Sequence, residues 1–153
     1  MYRENVQVYI YSLKDNRLLL LKRTEERSGY WQPVCGGIEN GETVNTTGIR
    51  EVSEKTGITE WSELIEMPNT YEYKEMKNDV EMEMKDYCTF MIISEIVDVK
   101  LSDEHVKYVW CRLEEVKNFT DWEPITESIQ WIKDTLMTRE IHPITRWLAT
   151  FHS

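Results

Sequence analysis

The sequence predicts an α/β fold, a mixed β-sheet sandwiched between α-helices, and three observations lead there. Short runs rich in aliphatic and aromatic residues recur along the chain with turn residues between them, as strands require. A glycine-bounded amphipathic stretch in the first half has helical spacing. A second, longer helical stretch follows the last strand-like run. At 153 residues the chain can bury one substantial core, so residues 1–153 are read as a single domain.

The elements follow in order. Residues 6–13 alternate around Tyr and Ile, Asp15 and Asn16 supply a turn, and residues 17–22 are densely aliphatic, which predicts strand, turn and strand. Residues 22–30 are charged and end in Ser28-Gly29, a loop, and residues 31–35 form a short strand entering a glycine turn. Thr43 can cap the first helix, and Gly57 can end it in the left-handed conformation. On that helix Ile49, Val52 and Thr56 share a face suited to packing on a sheet, while Glu51, Glu54 and Lys55 gather on another. Residues 64–67 and 70–74 are expected to be two strands, the polar residues 75–85 a hairpin loop, and residues 87–96 a central strand. Residues 106–111 predict a further strand and residues 113–116 a helical turn. Residues 124–137 predict a helix with Ile125, Ile129, Ile132 and Leu136 inward. From His142 onward, Ile144, Trp147, Leu148 and Phe151 suggest an apolar extension.

Composition narrows the function. A net charge of −10 opposes binding to a nucleic-acid polymer or an anionic membrane. A small phosphorylated partner remains compatible, because divalent cations held by carboxylates invert the local field. Cys35, Cys88 and Cys111 are widely spaced and fit no zinc pattern, so reduced, packed thiols are expected. Without a bilayer-length apolar run or a secretory cleavage pattern, the expected location is the cytoplasm, as a monomer or homodimer.

The chemistry lies in residues 36–58, GGIENGETVNTTGIREVSEKTGI. Gly36, Glu42, Arg50, Glu51, Val52, Glu54, Gly57 and Ile58 fill a pattern that resembles the Nudix box, G-x5-E-x7-R-E-U-x-E-E-x-G-U, in which U is a bulky aliphatic. Lys55 stands where the pattern has a second glutamate. The resemblance implies the Nudix fold and hydrolysis of a nucleoside diphosphate-linked compound with Mg²⁺ or Mn²⁺. It also implies roles. Glu54 would be a metal ligand, and Glu51 a ligand or the base that activates water. A backbone carbonyl of the Cys35-Gly36 turn would be a further ligand. Arg50 would orient the glutamates, and Glu42 would brace the loop or bind a second metal. In the later stretch LSDEHVKYVW, similar to loops of several Nudix subfamilies, Glu104 would approach the metals from the opposite side. His105 beside it could contact a phosphate, shuttle a proton or be structural.

Three readings of Lys55 stand open. It could form an i,i+4 pair with Glu51, its ammonium could occupy the place of one cation or grip a phosphate, or it could weaken metal binding. The remaining carboxylates are enough for one or two ions, so activity is expected to be retained.

Residues 30–43, YWQPVCGGIENGET, look most like the dihydroneopterin triphosphate pyrophosphohydrolases, which also accept deoxynucleoside triphosphates. Tyr30 or Trp31 could stack on a heterocycle, and Lys22 and Arg23 could grip phosphate. The expected reaction converts a nucleoside or pterin triphosphate to monophosphate and pyrophosphate. The alternatives are a Nudix-fold binding or regulatory module impaired by Lys55, and a dinucleoside polyphosphate hydrolase.

Overall fold

The computed structural model describes residues 1–141. Seven strands and two α-helices follow the order β1 (Tyr2–Ser12), β2 (Arg17–Arg23), β3 (Trp31–Gln32), β4 (Val34–Gly37), α1 (Val44–Thr56), β5 (Glu63–Lys77), β6 (Val80–Ile93), β7 (His105–Cys111) and α2 (Glu123–Ile141). The central strand β1 runs parallel to β6 from Tyr2↔Glu83 to Ser12↔Ile93. Every other pairing is antiparallel: β1 with β2 and β4, β2 with β3 and β7, and β5 with β6. The sheet is therefore mixed.

Alternation along the strands divides the core between the two faces. Tyr9, Tyr11, Leu18, Leu20, Phe90 and Ile92 meet Ile125, Ile129 and Ile132 of α2 on one side. Val6, Val8, Ile10, Leu19, Leu21 and Met91 meet Val52 of α1 on the other. This buries β1 from residue 5 to residue 12 on both faces, Asn5, Gln7 and Ser12 included. No helix among the described residues is long and apolar enough to cross a membrane.

The ends of α1 follow local rules. Thr43 Oγ1 accepts from the Thr46 amide at 3.1 Å while Thr46 Oγ1 accepts from the Thr43 amide at 2.8 Å, and Gly57 closes the helix at φ 80°. Its packing face differs from expectation. The buried line is Thr47, Gly48, Glu51, Val52 and Thr56, and Ile49 is only half-buried. At Gly48 an added Cβ would lie 3.3 Å from Val8 Cγ2 and 3.4 Å from Thr89 Cγ2, so the helix sits too close to the sheet for a larger residue to pack easily there. Ile49, about 100° further round, points off that line.

Three strand expectations are corrected. Residues 64–67 and 70–74 belong to one strand, β5, with a register shift between Glu66 and Thr70 around Pro68, which has no amide proton for the ladder. The supposed loop at 75–85 is a hairpin ribbon turning at Asn78 and Asp79, both at positive φ. It lies largely exposed, and its Val80, Met82 and Met84 alternate with charged residues. The strand expected at residues 87–96 is the second half of β6, which stops at Ile93. The apolar extension from His142 lies outside the described residues.

Candidate active site

The turn of β4 brings Gly36 against the carboxylate of Glu51 so closely that a Cβ on Gly36 would overlap it. Arg50 organises the surrounding acids. Its Nε and Nη2 hold Glu42 at 2.7 and 2.9 Å, Nη2 also reaches the Gly37 carbonyl at 3.0 Å, and Nη1 meets Glu51 Oε1 at 2.9 Å and Glu54 Oε2 at 3.3 Å. Glu42 additionally accepts from the Glu39 amide and the Thr47 hydroxyl. The Arg50 hydrogen bonds, with help from that amide, hold the Glu42 carboxyl down to about 2. Glu42 thus fastens the glycine loop to the helix.

Glu51 and Glu54 are neighbours in sequence but differ in setting. Glu51 is buried at 6% exposure, whereas the Glu54 side chain is 57% exposed and meets only Arg50 among the described residues. A solvated-charge description suits Glu54 alone.

Lys55, with 14% of its side chain exposed, turns into the site. Its ammonium donates to the Cys35 carbonyl and lies 3.3 Å from Glu51 Oε2 and 2.9 Å from Glu104 Oε2. Glu104 also pairs with Arg27 at 3.2 Å. Burial works against ionisation of Glu104, but the hydrogen bond and charge of Lys55, aided by Arg27, outweigh it and lower its pKa.

The oxygens of the site fall into two groups, one partly open to solvent and one closed by an ammonium. Glu54 and Glu51, one turn apart on α1, offer oxygens of the kind Mg²⁺ prefers. The space between the Cys35 carbonyl, Glu51 and Glu104 is taken by an ammonium. Among the described residues no three acidic, His or Cys side chains converge as an open metal site, since the box carboxylates turn toward Arg50 or Lys55.

Lys55, Glu104 and the Cys35-Gly36 turn border a cleft of about 940 Å³ whose walls also include Arg23, Tyr30 and Trp31, whereas Glu42, Arg50, Glu51 and Glu54 do not line it. Arg23 donates to the Tyr30 hydroxyl, with its guanidinium 4.9 Å from that ring centre. Trp31 packs edge-on to Phe119 at 5.1 Å. Lys22 does not line the cleft and pairs with Glu25 at 3.4 Å.

Other lining residues escaped the sequence. Asp86, 4% exposed, accepts from Asn5 Nδ2 at 3.0 Å, Gln7 Nε2 at 2.8 Å and Tyr73 OH at 3.0 Å. Its one signal was an acid next to the apolar run of β6. Trp122 adds a ring edge-on to Tyr73 at 5.9 Å. His105, already considered from the sequence, is buried, with Nε2 3.1 Å from Gln32 Nε2 and Nδ1 without a hydrogen-bond partner among the described residues. Burial, reinforced by the Lys55 charge, brings its pKa down to about 4, so it stands in the site as a neutral ring.

Residues 1–132 match the NUDIX domain family. The chain belongs to the NUDIX family. This Nudix chain is 30% identical over 119 residues to the asymmetrical bis(5'-nucleosyl)-tetraphosphatase of Rattus norvegicus, covering 72% of this chain and 75% of the rat protein. It is 34% identical over 73 residues to dihydroneopterin triphosphate diphosphatase of Escherichia coli (strain K12), a stretch covering 46% of this chain and 48% of that enzyme. The structure of the E. coli dihydroneopterin triphosphate pyrophosphohydrolase superposes with a TM-score of 0.72 at 22% identity, covering 86% of this chain and 96% of that one, which establishes the shared fold. With Nudix membership comes the reaction class: the protein is a pyrophosphohydrolase acting on phosphoanhydride bonds.

Proposed function

We propose that this Nudix protein hydrolyses a nucleoside or pterin triphosphate to the monophosphate and pyrophosphate, with Mg²⁺ or Mn²⁺. The observation that carries this reading is the cleft itself. It joins Gly36 and Lys55 of the box to the aromatic Tyr73 and Trp122 and the buried Asp86, in a volume suited to a mononucleotide-sized ligand. Asp86 Oδ2 accepts a single hydrogen bond, from Gln7, among the described residues. It has a lone pair left for a ring N–H. A pterin (2-amino-4-oxo) and a guanine (2-amino-6-oxo) both present such donors on their amino-oxo edge, and the ring of Trp122 offers a flat apolar surface beside them.

Glu54 and Glu51 would hold the ion, which when bound neutralises phosphate charge and lowers the pKa of its water. Arg50 keeps both carboxylates in place, and Lys55 lines the cleft with its ammonium held by Cys35, Glu51 and Glu104. The oxygen of water bonds to phosphorus as the anhydride P–O bond breaks. The buried neutral His105 contributes no charge to the phosphates.

A second reading, a Nudix-fold binding module, is favoured by the pairing of every box carboxylate with Arg50 or Lys55. A phosphate-release assay coupled to inorganic pyrophosphatase, with the nucleotide products of diadenosine tetraphosphate followed by chromatography, separates the two. The panel comprises dihydroneopterin triphosphate, the deoxynucleoside triphosphates and diadenosine tetraphosphate, each with Mg²⁺ and with Mn²⁺. Pyrophosphate release fastest with the pterin or guanine compound supports the proposal. Binding without turnover across the panel selects the module, and preference for the tetraphosphate selects the dinucleoside polyphosphate reaction.

A further inference from the structure

We propose that the Lys55 ammonium is a built-in cation, filling an oxygen-lined position that would otherwise take a divalent ion and thereby lowering by one the number of ions this site binds. The cage comes from three separated parts of the chain. The Cys35 carbonyl lies in β4, Glu51 on α1 and Glu104 just before β7. Two carboxylates and a carbonyl converging on one point are the hard, anionic oxygen set that divalent cations take. A protonated amine satisfies the same charge without dehydrating an ion.

The surroundings bear this out geometrically. Lys55 and Glu51 are one helical turn apart, so the pair could have formed in solvent, yet the lysine is largely covered and reaches past Glu51 to a backbone carbonyl and a second acid. The segment that carries Glu104 is separately pinned. Lys100 N–H donates to the Thr56 carbonyl at 2.9 Å at the end of α1, and Thr24 N–H donates to the Glu104 carbonyl at 3.2 Å beside β2. Glu104 is thus brought to the helix by protein contacts alone, and the ammonium neutralises it there.

The inference rests on the proposed hydrolase reading only for its consequence, a smaller metal requirement; the cage can be tested without substrate. Titration of the metal-free protein with Mn²⁺, following free Mn²⁺ by electron paramagnetic resonance, counts the ions bound by wild type and by Lys55→Glu. The variant is expected to bind one more Mn²⁺ per chain. Hydrogen exchange provides the second readout, at the amides of Thr24 and His105. In Lys55→Met without metal these should exchange at least about tenfold faster, because Glu51 and Glu104 repel across an emptied cage. In Lys55→Glu the same acceleration should be reversed by Mn²⁺. Equal Mn²⁺ counts in wild type and Lys55→Glu would overturn the proposal. So would unchanged exchange in Lys55→Met, which decides the matter if Lys55→Glu does not fold. A chain that shows the extra ion but no turnover on any substrate would refute the hydrolase reading and leave the cage standing.

Discussion

Gly36→Ala offers a sharp test of how the site is packed. A methyl group at this position would overlap the Glu51 carboxylate, which is buried and held by Arg50 at 2.9 Å and Lys55 at 3.3 Å. The backbone itself is no obstacle, since Gly36 is not among the glycines at positive φ. Overpacking of this kind costs about 1–3 kcal/mol. With Glu51 cut back to alanine the methyl has room, and Gly36→Ala should then cost less than about 0.5 kcal/mol. The double-mutant cycle should therefore show a coupling of at least about 1 kcal/mol, measured as urea unfolding free energies of the four proteins at unchanged m. Thermal midpoints should follow at about 2–4 °C per kcal/mol for a chain of this size. Turnover should fall in Gly36→Ala too, because Glu51 must leave its place. An equal cost of Gly36→Ala in both backgrounds would refute the argument that this glycine exists to admit the glutamate.

Glu54→Gln should lower turnover at least about a hundredfold, or about 2.7 kcal/mol of barrier, while its exposed setting keeps the stability change below about 0.5 kcal/mol. Near-normal rates at saturating Mg²⁺ in a folded protein would remove Glu54 from the metal site. Glu104→Gln should slow turnover less than Glu54→Gln and shift the Mg²⁺ dependence of the initial rate, and an unchanged titration would place Glu104 outside the reaction. The low pKa of His105, about 4 against an ordinary 6.5, makes the unfolded chain bind this proton first as the pH falls. Its contribution to stability is therefore complete above about pH 6.5 and lost toward pH 4, on the order of 3 kcal/mol at most. Urea midpoints between pH 7 and 4.5 should consequently fall more steeply for wild type than for His105→Gln, and parallel slopes would contradict the buried neutral ring.

Much of this protein is written locally. The cap at Thr43, the stop at Gly57, the aliphatic runs of β1 and β2, and the inward isoleucines of α2 follow from spacings of a few residues, which is the range over which helix and strand periodicity act. The box spacing also placed Arg50, Glu51 and Glu54 on a single helix. Other features were decided only in three dimensions. Asp86 reaches Asn5 and Gln7 across separations of 81 and 79 residues because β1 and β6 run parallel in one register, and no local pattern encodes that pairing. The ribbon at the end of β5 and β6 read as loop because of its many charged residues and the Asn78-Asp79 pair, although Val80, Met82 and Met84 alternate with charged residues as a strand does. Lys55 shows the division most clearly: helical spacing offers it Glu51, but the Cys35 carbonyl and Glu104 arrive from other strands and loops. Whether that lysine is a surface pair or an internal cation depends on how charges from distant segments converge, and only the folded sheet brings those segments within reach.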